Sequence, residues 1–118
     1  MSDPAGQAID VRALMDRLDG DWMLLEELVS LYLDDEPVLM KQIARAIAAG
    51  DAEALRRSAH TLKGSVGNFC APAAQAAALA LESAGRDRAL GQASALLEQL
   101  TIQLALVRTA LHELVGSR

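Results

Sequence analysis

From Leu90 to Leu114 the sequence keeps one unbroken apolar spacing. Leu90, Ala93, Leu97, Leu100, Leu104, Val107, Leu111 and Leu114 recur alternately three and four residues apart. An α-helix brings such positions onto one face, and a seam kept for more than three heptads needs a partner surface of equal length. At 1.5 Å per residue it is roughly 40 Å long. The rest of the chain is suited to supply that surface. Ala (23) and Leu (20) fill 43 of 118 positions, whereas Val, Ile and Thr together fill 13. Small and unbranched side chains favour helices, and the β-branched residues that favour strands are scarce. No segment alternates as a strand does. A β-sandwich or a parallel-sheet enzyme is therefore excluded, and a hydrophobic content of 52% excludes disorder.

Helix punctuation divides the chain. Residues 1–8 read as a loose tail, and residues 9–116 as one domain. Asp10 caps a short helix over Val11–Leu18 that Gly20 ends. Asp21 caps a segment in which Leu25, Leu28 and Tyr32, then Leu39, Ile43 and Ile47, keep helical spacing until Gly50. Pro37 makes this either one helix kinked over 21–49 or two abutting helices. Asp51 caps the next helix, which carries Leu55, Ala59, Leu62, Val66 and Phe69 on one face. Pro72 suits the first turn of an alanine-rich helix to about Ala84, stopped by Gly85. The last helix is expected to begin near Asp87 or Ala89. Short connections make neighbours antiparallel. The expected fold is all-α: an antiparallel up-and-down four-helix bundle with a short extra N-terminal helix.

Charge and composition remove several functions. A net charge of −5 argues against a nucleic-acid partner. No apolar run approaches the ~20 residues of a membrane span. The start, Met1-Ser2-Asp3-Pro4-Ala5-Gly6, lacks the regions of a signal peptide, so a soluble cytoplasmic chain is expected. The single Cys70 and two distant histidines, His60 and His112, offer no zinc site. Asp34, Asp35 and Glu36 read as a solvated helix surface. No Gly-rich nucleotide loop, Ser-His-Asp set or pair of catalytic carboxylates stands out.

One segment carries chemistry. On a helical wheel over Ala52–Phe69, Arg56, Arg57, Lys63, Gly64 and Gly67 fall within about 60° of His60. Leu55, Leu62, Val66 and Phe69 fall opposite. His60 should therefore face water. Each glycine inside a helix costs about 1 kcal/mol relative to alanine, and here both lie on the histidine side. Bare backbone there leaves the imidazole open to a second protein. An exposed imidazole is largely neutral at pH 7, and a neutral ring nitrogen is a nucleophile. The nearby cations would stabilise a phosphate carried on it.

Ala59-His60-Thr61-Leu62-Lys63-Gly64-Ser65 resembles the motif of histidine-containing phosphotransfer (HPt) domains. Gly50 to Arg57 is similar to the family's approach to the histidine, and Gly20-Asp21 with Leu31 to Pro37 resembles its first long helix. The resemblance runs from about Ile9 to Leu114. It implies a four-helix bundle that carries a phosphoryl group on one exposed histidine, usually through Nε2. The group is exchanged with the aspartate of a response-regulator receiver domain, in a relay fed by a hybrid sensor histidine kinase. His60 matches the phosphorylated residue, Lys63 the lysine near the phosphate, and Gly64 the glycine that gives access. Glu82 falls where the family has Glu or Gln close to the imidazole. Arg56, Arg57 and Gly67 are expected to help the partner dock. Metal and acidic pocket belong to the receiver, so no cofactor is expected, and a monomer is. The chain departs from the pattern at Val66-Gly67-Asn68-Phe69-Cys70, where Cys70 replaces a usual glycine. Three other readings share parts of the pattern. They are the phosphorylation domain of a chemotaxis-type kinase, the dimerisation helix of a sensor kinase, and a non-catalytic helical interaction bundle.

Overall fold

A computed structural model describes residues 8–116. Its helices are α1 (Val11–Arg17), α2 (Trp22–Ala49), α3 (Ala52–Gly67), α4 (Pro72–Arg86) and α5 (Ala93–Gly116), with a 3₁₀ turn at Leu90–Gln92 before α5. There is no strand among the described residues. The packed pairs are α2 with α3, α3 with α4, α4 with α5 and α5 with α2, so the four long helices close a ring. This is the expected bundle with a short N-terminal helix. Residues 1–7 of the expected tail lie outside the described residues, and Ala8 is buried against the core.

Asp10, Asp21 and Asp51 each accept the backbone N–H three residues on, at 3.0 Å, and so cap α1, α2 and α3. The α5 seam is spent inside the molecule: Leu100, Leu104, Val107 and Leu111 are fully buried against Leu25, Ile43, Leu55, Leu62 and Leu81 of the shared core. Fully burying such a side chain is worth roughly 1.5–3 kcal/mol. Pro37 does not divide α2, which runs unbroken over 28 residues. Buried residues lie on both sides of it, Tyr32 and Glu36 before and Ile43 and Ala46 after. Their packing outweighs the roughly 3 kcal/mol that an interior proline costs.

Three boundaries differ from the expected ones. The third helix stops at Gly67, two residues early, and Cys70 takes φ +54°. That left-handed backbone favours glycine, so Cys70 holds with some strain a conformation that glycine adopts freely. The turn is tied to α1, because Asp10 N–H donates to Cys70 O (2.8 Å) and Arg17 Nη1 to Gly67 O (3.0 Å). Gly85 does not stop α4 but lies inside it. A Cβ there would stand 2.7 Å from Ala52 O and Arg56 N, so glycine is what lets α3 and α4 touch backbone to backbone. The left-handed turn falls later, at Arg88. Finally, α5 starts at Ala93, after the 3₁₀ turn.

Candidate functional site

Burial of Leu55, Ala59, Leu62 and Val66 fixes the rotation of α3. The opposite face then carries His60, whose side chain is 61% exposed. A Cβ added at Gly64 would meet nothing within 4 Å, so the surface one turn beyond His60 is open. Gly67 does not extend that surface. A Cβ there would come within 2.7 Å of Gln75 Nε2, because the Gln75 side chain already covers it from α4.

The close α3–α4 seam brings Glu82 beneath the histidine. Glu82 Oε2 lies 3.0 Å from His60 Nδ1, and Glu82 Oε1 lies 2.7 Å from Lys63 Nζ. The Glu82 side chain is only 10% exposed and that of Lys63 25%. The Lys63 ammonium beside it, assisted by the hydrogen bond from His60, holds the Glu82 carboxyl below the usual carboxylate range against the opposing effect of desolvation. Glu82 is therefore ionised at neutral pH. An ionised carboxylate only accepts hydrogen bonds, so His60 Nδ1 must carry the proton that joins them. In the neutral ring Nε2 is then left with its lone pair, directed away from Glu82. One carboxylate thus links lysine and imidazole, and sets which ring nitrogen keeps its lone pair.

The arginines are placed differently from the expected basic patch. Arg56 donates twice to Glu53, from Nε and from Nη2, and Arg57 Nη1 lies 3.8 Å from the same carboxylate. These pairs pull Glu53 below the ordinary carboxylate range, first through the Arg56 hydrogen bond. Arg56 is thus committed within its own helix. The i+3 and i+4 spacing from Glu53 was the signal for this pairing. Lys63, expected beside a phosphate, is committed to Glu82 in the same way. Sequence reasoning missed Gln42 and Arg45 of α2, which share a surface cleft with Arg57, Ser58 and Thr61. Only the folded α2–α3 pairing reveals that.

Among the described residues no group of three or more His, Cys, Asp or Glu is placed to hold a metal ion. No helix among them is long and apolar enough to cross a membrane. No curated protein matches the chain. The family profile described as Hpt domain matches residues 27–115. The fold superposes on the crystal structure of histidine-containing phosphotransfer protein B (HptB) from Pseudomonas aeruginosa PAO1 with a TM-score of 0.87. Sequence identity is 28%, over 94% of this chain and 96% of that one.

Proposed function

The chain belongs to the Hpt domain family and is a histidine phosphotransfer protein, and on that footing we propose that it carries its phosphoryl group on His60 Nε2 and exchanges it with the aspartate of response-regulator receiver domains. One observation supports this most: an imidazole with an exposed ring whose Nδ1 is held at 3.0 Å by a buried carboxylate. The Nε2 lone pair attacks the phosphorus of an aspartyl phosphate. An N–P bond forms, the acyl P–O bond breaks, and the aspartate leaves as carboxylate. The Nδ1 proton stays between ring and Glu82, whose charge favours the cationic ring formed on attack. The reverse transfer uses the same atoms.

Gly64 serves access, since nothing stands over it. Lys63 is held back by Glu82 and turns toward the phosphoryl group once two further negative charges arrive. The donor is a hybrid sensor histidine kinase, and the carrier works as a cytoplasmic monomer. Burial of Leu100, Leu104, Val107 and Leu111 inside the bundle supports the monomer, because the centre of the seam is spent within the chain.

The test is incubation with a panel of phosphorylated receiver domains, beside a His60→Gln variant. Acid-labile, base-stable phosphate should appear on the wild type and be absent from the variant. Label persisting in His60→Gln would place the carrier elsewhere and end the proposal.

A further inference from the structure

The cations around His60 are committed unequally. On the α4 side, Lys63 is held by Glu82 and Arg56 by Glu53. On the α2 side lies an open cleft of about 630 Å³ between α2 and α3. Gln42 and Arg45 line it from α2, Arg57, Ser58 and Thr61 line it from α3, and Asp51 stands at its end. Arg45 is exposed and forms no ion pair among the described residues. Arg57 has only the long 3.8 Å approach to Glu53. The one carboxylate in the cleft, Asp51, is engaged in capping α3 through Oδ1. Ser58 Oγ donates to Gln42 Oε1 at 3.3 Å, which ties the two walls together. In a chain of net charge −5, this is a local reversal of sign.

The same α2–α3 groove changes character beyond Gly64. There Leu28, Leu31 and Phe69, with Asp35, Ser65 and Asn68 beside them, line a mostly apolar hollow of about 170 Å³, and Leu31 is well exposed. A protein that reaches His60 along this groove meets charge at one end and apolar surface at the other. Over α4 it meets cations already neutralised.

We propose that the Arg45–Arg57 cleft docks an acidic, Asp- or Glu-bearing segment of the receiver, and that this pair selects the partner and its direction of approach, over α2 rather than over α4. The inference rests on the proposed exchange with a receiver and adds which side of His60 the receiver covers. A cleft of this size and openness suits several side chains of a protein surface better than a lone anion. Guanidinium groups pair carboxylates in fork geometry, and complementary charge raises encounter rate and rejects wrong partners.

The test separates carriage from docking. The chain is first labelled on His60 with phosphoramidate, a small donor that needs no docking surface. Labelled chains are then mixed with a panel of receiver domains, and discharge is followed at low and high salt. Arg45→Glu and Arg57→Glu should each slow discharge about tenfold at low salt and flatten its salt dependence. Arg45→Gln should fall between them and the wild type, and it replaces Arg45→Glu if charge reversal disturbs the fold. Arg56→Glu, on the α4 side, should have the smaller effect. If Arg45→Glu discharges at the wild-type rate with the wild-type salt dependence, the cleft is not the docking site and the carrier role stands. If the wild type takes label but discharges to no receiver, the cleft proposal and receiver exchange fall together. If the wild type takes no label on His60, the carrier role itself falls.

Discussion

Two buried glutamates join helices of this bundle, and they end in opposite chemistry. Glu82 on α4 links Lys63 and His60 of α3. Glu36 on α2 pairs with Arg108 of α5 and lies one turn from Tyr32 on the same helix. In each case a carboxylate that is at most 10% exposed meets a cation and a ring with a titratable proton. The difference is where the ring sits. Tyr32 is buried, with its ring edge-on to Phe69 at 5.2 Å. Burial first, and then the charge of Glu36, push its hydroxyl pKa well above the ordinary value, so its proton is locked in. His60 stands in water, so the carboxylate fixes one nitrogen and leaves the other free. A buried acid therefore locks the proton of a ring that is enclosed, as at Tyr32, and orients a ring that protrudes, as at His60.

The contrast can be broken most severely at Gly85. Gly85→Ala drives a Cβ into the α3 backbone at 2.7 Å and must push α3 from α4. Stability should fall by about 3 kcal/mol, and His60 labelling should fall with it as the Glu82 contact lengthens. Denaturant unfolding and phosphoramidate labelling of one preparation read both. Unchanged labelling in a destabilised Gly85→Ala would separate the seam from the site.

Glu36→Gln should act on stability alone. Weakening the pair with Arg108 should cost about 2 kcal/mol, seen as a lower denaturation midpoint, with His60 labelling at the wild-type rate. Loss of labelling at full stability would mean that the two acids are not distinct in role.

Glu82→Gln should do the reverse. It removes the charge that favours the cationic ring, and labelling should slow about tenfold, ~1.4 kcal/mol in barrier. The same variant has a pH signature. The Glu82 pKa is lowered in the folded chain, so its contribution is fully present above the ordinary value of 4.5 and is lost as pH falls below it. Acid unfolding of Glu82→Gln should therefore be shallower below that pH than in the wild type. Parallel acid curves would show that Glu82 gains nothing from His60 and Lys63.

The smallest effect at neutral pH belongs to Tyr32, the one tyrosine of the chain. Its pKa is raised in the folded chain, so its contribution is intact below the ordinary value of 10.0 and falls as pH rises above it. Phenolate absorbance should appear only with alkaline unfolding. A titration near pH 10 in the folded chain would open the α2–α5 cluster to water.

Helix spacing made the bundle legible, because each long helix repeats its apolar face over many turns and aspartates mark three of the starts. The exposure of His60 was legible for the same reason, since α3 has a clean buried face opposite it. What spacing did not show was pairing across helices. Glu36 looked like one of three solvated acids until α5 brought Arg108, 72 residues away, against it. Gly85 looked like a stop because glycine often ends a helix, and only the α3 backbone beside it reveals a contact point. Gly67 looked bare because Gln75, which covers it, belongs to the next helix. Arg56 looked free on the histidine side because its partner Glu53 lies one turn earlier in the same helix, a pairing that only the i, i+3 spacing signals.

The central claim is that Glu82 keeps the proton on Nδ1 and leaves Nε2 of His60 as the nucleophile. Long-range proton–nitrogen NMR of the neutral imidazole tests this directly. The predicted result is a dominant Nδ1–H tautomer in the wild type that is diminished in Glu82→Gln. A dominant Nε2–H tautomer in the wild type would contradict the account.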